Sequence, residues 1–200
     1  MLPPGMSDRA AGRRRELLDA AIAVFARKGF HAARVADITA EAGVAHGLLY
    51  HYFRSKDEVL ETIIRETWQL LQADTERIAS SGAPLEEQLR RFAHIHLGSW
   101  LVAPDLIRVL VREVGRSPQV GSRVGEMGGV FLGLQRIVEA AHERGEVRAD
   151  CDPRLAAWVF YGALEEILTG WVLGQLPGGE QEIDRAVATV VGITHAGLAA

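Results

Sequence analysis

The sequence predicts an all-α protein of about nine helices. Apolar residues recur with the helical period of three to four along nearly the whole chain of 200 residues. Glycine and proline residues interrupt this pattern at spacings typical of helix ends. No window of four to eight residues combines strict alternation with β-branched side chains, which argues against strands.

The first predicted helix carries an apolar stripe that begins at Leu17 and ends before Gly29. Glycine can adopt the left-handed conformation that closes a helix. A long helix is predicted over residues 55–79. It begins with a capping box, in which Ser55 accepts a hydrogen bond from a backbone amide and Glu58 reaches back towards the helix start.

Proline and glycine residues divide the second half of the chain into further helices, and Pro84 stands at a first helical position. We expect these helices at about residues 84–102, 104–115, 119–145, 153–174 and 180–198.

Charge and cysteine content exclude several classes of protein. The net charge is −4, so the chain is no uniformly basic nucleic-acid binder. Residues 1–60 carry nine Lys/Arg against seven Asp/Glu, whereas residues 61–200 carry 13 against 19. This suits a small DNA-reading unit joined to an acidic body. One cysteine, Cys151, excludes an internal disulfide. No signal peptide or membrane span is predicted, so we expect a cytoplasmic protein.

A helix-turn-helix is predicted within residues 35–53, where two short helical patterns flank a glycine-containing turn. Leu49 and Phe53 mark the inner face of the second helix. Tyr50 and His51 must then face outward, while Tyr52 at the boundary is as compatible with core as with surface. Hydroxyl and imidazole groups on an exposed helix are suited to phosphate contacts.

The segment from Arg15 to Leu60 closely resembles the N-terminal domain of TetR-type transcriptional repressors. The resemblance lies in FARKGF and in VADITAEAGVAHGLLYHYFRSKDEVL. It implies a homodimer that binds a pseudo-palindromic DNA operator and is released by a small molecule. The implied organisation is a disordered arm over residues 1–12, a three-helix DNA-binding domain over 13–54 and a ligand-binding and dimerisation domain over 55–200. The helix at 55–79 would connect the two domains.

The resemblance also assigns roles to individual residues of the DNA-binding domain. His46, Gly47 and Leu48 would open the recognition helix towards base edges, and Arg34 would reach bases or phosphates. The phosphate contacts would come from Tyr50, His51, Tyr52 and Lys56.

Three positions depart from the family pattern. Ala33 and Ala45 stand where family members usually have Thr or Ser, so both short helices are predicted to lack a side-chain cap, a loss of about 0.5–2 kcal/mol each. Leu48 offers no hydrogen bond. It either contacts a thymine methyl group or is half-buried, and in the first case His46 is the main polar reader.

A dimer interface is predicted on the last two helices. On the helix that begins at Pro153, small or polar residues recur at every fourth position and allow close approach of another helix. The alternative is packing within one subunit. The predicted interface residues are Trp158, Gly162, Glu166, Gly170, Ile183, Val187, Val190, Val191 and Thr194.

The segment at residues 142–174 resembles the FadR-type branch, repressors of fatty-acid degradation that respond to long-chain acyl-CoA. This implies an apolar tunnel with a cationic mouth. The tunnel candidates, each equally compatible with ordinary core, are Trp68, Leu97, Trp100, Leu101, Leu110, Phe131, Leu134 and Tyr161. The candidates for contacts with the CoA phosphates are Arg108, Arg112, Arg116 and Arg123.

Two other functions are compatible with parts of the sequence. A repressor that senses hydrophobic drugs and controls an efflux gene would place carboxylates in its pocket, for which Glu113 and Glu165 are the candidates. A helical lipid carrier without DNA binding would have no use for the exposed rings. We predict no enzyme, metal or cofactor: catalytic motifs are absent, and His94 and His96 lie about 200° apart on a helix.

Overall fold

The computed structural model describes residues 8–113 and 124–200 and contains nine helices there. They are α1 (Asp8–Lys28), α2 (Val35–Glu41), α3 (Gly47–Tyr52), α4 (Lys56–Ala79), α5 (Leu85–Val102), α6 (Pro104–Glu113), α7 (Val124–Glu143), α8 (Pro153–Val172) and α9 (Glu180–Leu198). Within these residues the one strand-like pairing is an isolated bridge between Val147 and Ala199. The all-α prediction is confirmed.

The N-terminal helices α1 to α3 form the predicted three-helix unit. Gly29 closes α1 with φ 79°, and Gly43 turns the chain between α2 and α3 with φ 64°. Leu49 and Phe53 are buried against the other helices, as their spacing predicted. Helix α1 already begins at Asp8, so residues 8–12 of the predicted disordered arm are helical. The rest of that arm, residues 1–7, lies outside the described residues.

The starts of the two short helices differ from the sequence prediction. The residue that caps α2 is Arg34 rather than Ala33, and its backbone N–H donates to Oδ2 of Asp37 at 2.9 Å. The side chain of Asp37 therefore replaces part of the missing cap from within the helix. The residue before α3 is His46, and no side chain caps that helix. The predicted loss of a cap applies to α3 more than to α2.

Helix α4 runs from the DNA-reading unit into the body of the protein. Ser55 accepts a hydrogen bond from the amide of Glu58 at 3.2 Å, as predicted. The carboxylate of Glu58 reaches back one residue farther, to the N–H of Arg54 at 2.6 Å. Beyond α4, helix α5 begins at Leu85, and Pro84 is its cap rather than its first residue.

The C-terminal helices pack into one layered bundle that is continuous with the N-terminal unit. Helix α4 packs along α7, α7 along α8, and α9 against both α5 and α8. Helix α6 contacts α1, so the two predicted domains share a buried core. None of the helices that the structure describes is long and apolar enough to cross a membrane.

Candidate DNA-reading surface and effector cavity

Helix α3 carries exposed rings on its outer side. The side chain of Tyr50 is 53% exposed, and its ring lies edge-on to that of His46 with centroids 5.8 Å apart. His51 is exposed and lies edge-on to Tyr52 at 5.2 Å. Tyr52 is half-buried against the core, which is an intermediate outcome for this boundary position. The outward orientation predicted for Tyr50 and His51 is present.

The start of α3 is open to solvent. Gly47 is exposed, and a Cβ atom added there would meet no atom within 4 Å. Leu48 is partly buried, so part of its side chain stays accessible for an apolar contact. Arg34, at the start of α2, is also exposed. We call these accessible residues and the α3 rings together the reading surface: Arg34, His46, Gly47, Leu48, Tyr50 and His51.

The side chain of Lys56 points into the protein rather than away from it. Its Nζ donates to the carbonyl oxygens of Phe30 at 2.7 Å and Ala33 at 2.9 Å, and it lies 4.4 Å from the centroid of the Phe30 ring. These contacts tie the start of α4 to the loop between α1 and α2. The ammonium group, predicted as a phosphate contact, instead satisfies buried carbonyl groups.

A second connection strengthens the same loop from its other side. Lys28 Nζ lies 2.7 Å from Oδ1 of Asp37, whose second oxygen holds the Arg34 amide. The hydrogen bond from Lys28, together with that amide, holds the pKa of Asp37 below its ordinary value. The carboxylate therefore stays charged and keeps α2 attached to the end of α1.

A cavity of about 330 Å³ lies between α4, α5, α6 and α8. This is at the lower end of the range for ligand pockets, about 300–1,000 Å³. Of the predicted tunnel residues, Trp68, Leu110 and Tyr161 line it. The other lining residues are Thr67, Leu70, Leu71, Asp74, Ile95, His96, Ser99, Leu106, Ile107, Val111, Glu165, Leu168 and Thr169.

Five predicted tunnel residues lie elsewhere. Leu97 and Leu134 are fully buried in the core, and Leu101 is exposed. Trp100 packs against Trp171, and Phe131 stacks on Trp158 with centroids 4.1 Å apart. Periodicity identified these side chains as apolar, but it does not say which helix faces which space.

A polar cluster interrupts the apolar wall of the cavity. Oε1 of Glu165 accepts a hydrogen bond of 2.6 Å from the hydroxyl of Tyr161 and lies 3.0 Å from Nε2 of His96. Burial raises the pKa of Glu165, but the hydrogen bond and charge of His96, with the Tyr161 hydroxyl, outweigh it and leave the pKa below its ordinary value. Burial, followed by the nearby Glu165 charge, raises the pKa of Tyr161. The carboxylate is therefore ionised and the phenol neutral.

Sequence reasoning singled out Glu165 as a pocket carboxylate but missed His96. The two residues are 69 positions apart and meet only because α5 packs on α8. Glu113, the other carboxylate considered, is buried but does not line the cavity. In the part of the chain that the structure describes, no three His, Cys, Asp or Glu side chains form a metal-binding group.

A wider groove of about 740 Å³ adjoins the cavity between α1 and α4. Thr67, Leu70 and Leu106 line both spaces. Three arginines line only the groove, which we call the arginine groove: Arg14, Arg15 and Arg65. Two carboxylates share it, since Glu66 pairs with Arg14 at 2.5 Å and Asp19 with Arg15 at 3.1 Å.

Of the predicted CoA-phosphate arginines, the two that the structure describes, Arg108 and Arg112, do not line either space. Arg108 pairs with Asp105 at 2.6 Å and lies over the Trp100 ring. Arg112 donates to the carbonyl oxygen of Ala26 at 3.0 Å. Arg116 and Arg123 lie outside the described residues.

The predicted dimer interface divides between surface and core. Trp158, Gly162 and Glu166 are exposed on α8, and Thr194 is partly exposed on α9. By contrast, Gly170 is buried against Leu176 of the same subunit. The stripe on α9 faces α5 within the subunit, so these residues are core and not interface: Ile183, Val187, Val190 and Val191.

Exposed apolar side chains are present on both α8 and α9. Leu155 is 61%, Val159 70% and Ile193 72% exposed. Gly162 lies on the same surface, with open space around the position of a Cβ atom. We call Leu155, Val159, Gly162 and Ile193 the outer face. The sequence analysis missed its three apolar side chains because it followed the spacing of small residues on α8 and the buried stripe on α9.

Comparison with known proteins agrees with this architecture. The family model "Bacterial regulatory proteins, tetR family" matches residues 17–63. The model "Tetracyclin repressor-like, C-terminal domain" matches residues 82–190, more than half of the chain.

Individual relatives match over most of their length. The fatty acid metabolism regulator protein of Bacillus subtilis is 28% identical over 160 residues, 79% of this chain and 82% of that protein. The transcriptional repressor KstR2 of Rhodococcus jostii is 29% identical over 206 aligned positions, 100% of this chain and 98% of that protein. These relatives are transcriptional regulators and not enzymes.

Solved structures show the same fold. The fatty acid degradation regulator FadR of Bacillus halodurans superposes with a TM-score of 0.83 at 26% identity, covering 93% of this chain and 96% of that one. FadR of B. subtilis, solved with stearoyl-CoA, superposes with a TM-score of 0.81 at 24% identity, covering 92% and 98%. The chain therefore belongs to the TetR family of bacterial transcriptional regulators.

Proposed function

We propose that this regulator is a homodimeric repressor that binds a pseudo-palindromic DNA operator and is released by long-chain acyl-CoA. The observation that carries the proposal is the juxtaposition of an apolar cavity and the arginine groove, directly beside helix α1 of the DNA-reading unit. A lipid tail and an anionic head group would fit these two spaces.

The reading surface supplies the DNA contacts. His46, Gly47 and Leu48 enter the major groove at the start of α3, and Arg34 reaches the DNA beside them. The phosphate contacts come from Tyr50, His51 and the accessible edge of Tyr52. Because the ammonium group of Lys56 is occupied by backbone carbonyls, the contribution of this position comes from its place at the N-terminal end of α4, whose dipole attracts a phosphate.

The outer face supplies the dimer contact. An apolar patch on two helices can pair with its own copy across a two-fold axis, which buries Leu155, Val159 and Ile193 in both subunits. Gly162 allows the helices to approach closely, and Trp158 and Glu166 lie at the edge of the contact. Two recognition helices would then be separated by about 34–36 Å, one turn of DNA.

The effector assignment rests on chemistry and on similarity. Each methylene group buried in the cavity contributes about 0.8 kcal/mol, so a ~12–16 carbon chain supplies ample binding energy. The arginine groove provides cations for the phosphates of CoA, a role that the sequence had assigned to other arginines. The similar regulator of B. subtilis acts on fatty acid metabolism, and its FadR was solved with stearoyl-CoA.

A second candidate effector is a hydrophobic drug, with control of an efflux gene. The carboxylates of Glu165 and Asp74 on the cavity wall favour it, since both would attract a cationic compound. The two candidates predict opposite charge preferences: palmitoyl-CoA binds in one case and a cationic dye such as rhodamine 6G in the other. Membership of a family of DNA-binding regulators leaves the lipid-carrier alternative without support.

Native mass spectrometry of the gently purified protein tests the proposal first. We expect a species of twice 21.8 kDa that carries palmitoyl-CoA after mixing. Operator DNA selected from a random pool should bind the empty dimer with an affinity that falls steeply with salt, and palmitoyl-CoA should release it. A dimer that stays empty would contradict the acyl-CoA assignment, and a persistent monomer would contradict the whole proposal.

A further inference from the structure

Only one of the two carboxylate oxygens of Glu165 has hydrogen-bonding partners among the described residues. Among the described residues, both of its hydrogen-bonding partners, Tyr161 and His96, meet the same oxygen, Oε1. The side chain is 38% accessible, and Glu165 forms part of the cavity wall. Its second oxygen, Oε2, is therefore available to a molecule that fills the cavity.

A plain alkyl chain next to Oε2 would lower the affinity of the effector. Glu165 is ionised, because His96 and Tyr161 together hold its pKa below its ordinary value. A saturated chain packed against Oε2 would remove its water and supply no donor in exchange, which weakens binding. A chain with a hydroxyl group at this depth would replace the lost water contact with a charge-assisted hydrogen bond.

Oε1 of Glu165 is already occupied, which leaves Oε2 for one further donor. His96 and Tyr161 already place a histidine ring and a hydroxyl group against the carboxylate. Their side chains also fix its orientation: the ring of His96 stacks on Phe92 with centroids 5.7 Å apart, and the Tyr161 ring lies 6.1 Å from Trp68. Oε2 is thus a fixed acceptor on an otherwise mainly apolar wall.

We propose that Glu165 is a specificity-determining residue that binds a hydroxyl group carried on the apolar body of the effector. The proposal rests on the effector cavity of the proposed function and names the class of effector. The effector is a lipid that carries a hydroxyl group on its chain, in contrast to one with a plain hydrocarbon chain.

Two probes with the same dodecyl chain isolate the effect of the hydrogen-bond donor. 1-Dodecanol and 1-methoxydodecane both carry an ether or hydroxyl oxygen, but only the alcohol can donate a hydrogen bond. Their affinities are measured by displacement of the neutral dye N-phenyl-1-naphthylamine from the full-length protein. We expect the alcohol to bind at least about tenfold more tightly, as for hydrogen bonds to charged groups. Glu165→Leu should remove this preference. If the leucine variant does not fold, Glu165→Gln takes its place and should reduce the preference, since a neutral acceptor forms a weaker hydrogen bond.

Glu143→Gln is the matched control, because Glu143 is exposed at the end of α7 and lies outside the cavity. It should keep the full preference. Equal affinities of the two probes, or a preference that survives in Glu165→Leu, would overturn the proposal. So would tighter binding of 1-dodecylamine than of the alcohol, since the carboxylate would then select a cation and not a hydroxyl group.

Palmitoyl-CoA separates this proposal from the proposed function. Release of operator DNA by palmitoyl-CoA without any alcohol preference refutes the hydroxyl subsite and keeps the acyl-CoA assignment. An alcohol preference without any effect of palmitoyl-CoA supports the subsite and refutes the acyl-CoA assignment.

Discussion

Nη1 of Arg112 donates a hydrogen bond of 3.0 Å to the carbonyl oxygen of Ala26, and so joins α6 to the last turn of α1. The residues just before Arg112 on α6, Leu110 and Val111, line the effector cavity. One helix therefore contacts both the proposed effector and the DNA-reading unit. A shift of α6 on effector binding would reach α1 through this bond.

Replacement of Arg112 by methionine should weaken the response to effector more than DNA binding itself. The change removes one hydrogen bond between helices and keeps an unbranched apolar stem in place of the arginine. We expect operator affinity of the empty protein to stay within about threefold, while the factor by which palmitoyl-CoA weakens it falls by about threefold or more. Fluorescence anisotropy with labelled operator measures both quantities. Arg108→Met is the control, since Arg108 pairs within α6; an equal effect there would refute the coupling role.

Gly47→Ala should separate folding from DNA binding. The position has open space around it and no positive φ, so alanine fits without strain and should leave stability unchanged or slightly raised. If α3 enters the major groove at Gly47, the added methyl group displaces the helix and lowers operator affinity by about tenfold or more. Gly98→Ala, at an equally open helical position remote from α3, should leave affinity unchanged. Unaltered affinity in Gly47→Ala would remove this residue from the reading surface.

The sequence predicted local features well because a single helix determines them. Leu49 and Phe53 were assigned to the core from their spacing alone, and the exposure of Tyr50 followed from the same phase. The stripe from Ile183 to Val191 was also recognised as apolar, but its partner was not. Periodicity shows that a face is buried, and only the packing of α9 on α5 shows that it is buried within one subunit.

Polar contacts between residues far apart in the chain could not be predicted from the sequence, for a related reason. Lys56 donates to the carbonyl of Phe30, 26 residues earlier. His96 on α5 contacts Glu165 on α8. A lysine beside a helix start and a histidine on a helix are each compatible with exposure. Their partners are determined by tertiary packing, which no local pattern contains.

Lys56→Met should destabilise the DNA-reading unit. It leaves the carbonyl oxygens of Phe30 and Ala33 without their charged donor, and we expect a loss of about 1.5–3 kcal/mol in the free energy of unfolding. Urea denaturation measures this loss. Lys28→Met, which breaks an ion pair with the exposed carboxylate of Asp37, should cost clearly less. Similar losses in both variants would show that the internal contacts of Lys56 contribute little.

Val159→Glu should dissociate the proposed dimer without unfolding the subunit. Val159 is 70% exposed within the subunit, so a charge there is tolerated in the monomer. In a two-fold contact, it would place two like charges against an apolar surface, at a cost that dimerisation cannot recover. Sedimentation should show 21.8 kDa in place of twice that mass. Val102→Glu, at an 86% exposed position on α5, should remain dimeric. A Val159→Glu dimer would exclude the outer face as the interface.

Glu146→Gln should reveal a pH-dependent contribution to stability at the start of α5. Pro84 offers no side-chain cap there, and Oε2 of Glu146 accepts the hydrogen bond of the Leu85 amide at 2.8 Å instead. Arg144 donates a hydrogen bond to the other oxygen. This hydrogen bond is the main reason why the pKa of Glu146 lies below its ordinary value near 4.5.

Because the pKa is lower in the folded state, the ionised carboxylate stabilises the fold above the unfolded-state pKa. That contribution is lost as the pH falls through the folded-state pKa. We expect the unmodified protein to be more stable than Glu146→Gln by at most about 1 kcal/mol at pH 7, since the pair is partly exposed. Below pH ~4.5 the difference should shrink. Urea denaturation between pH 3.5 and 7 measures it, with the exposed neighbour Glu143→Gln as control. A difference that is constant over this range would show that the carboxylate does not act through its charge.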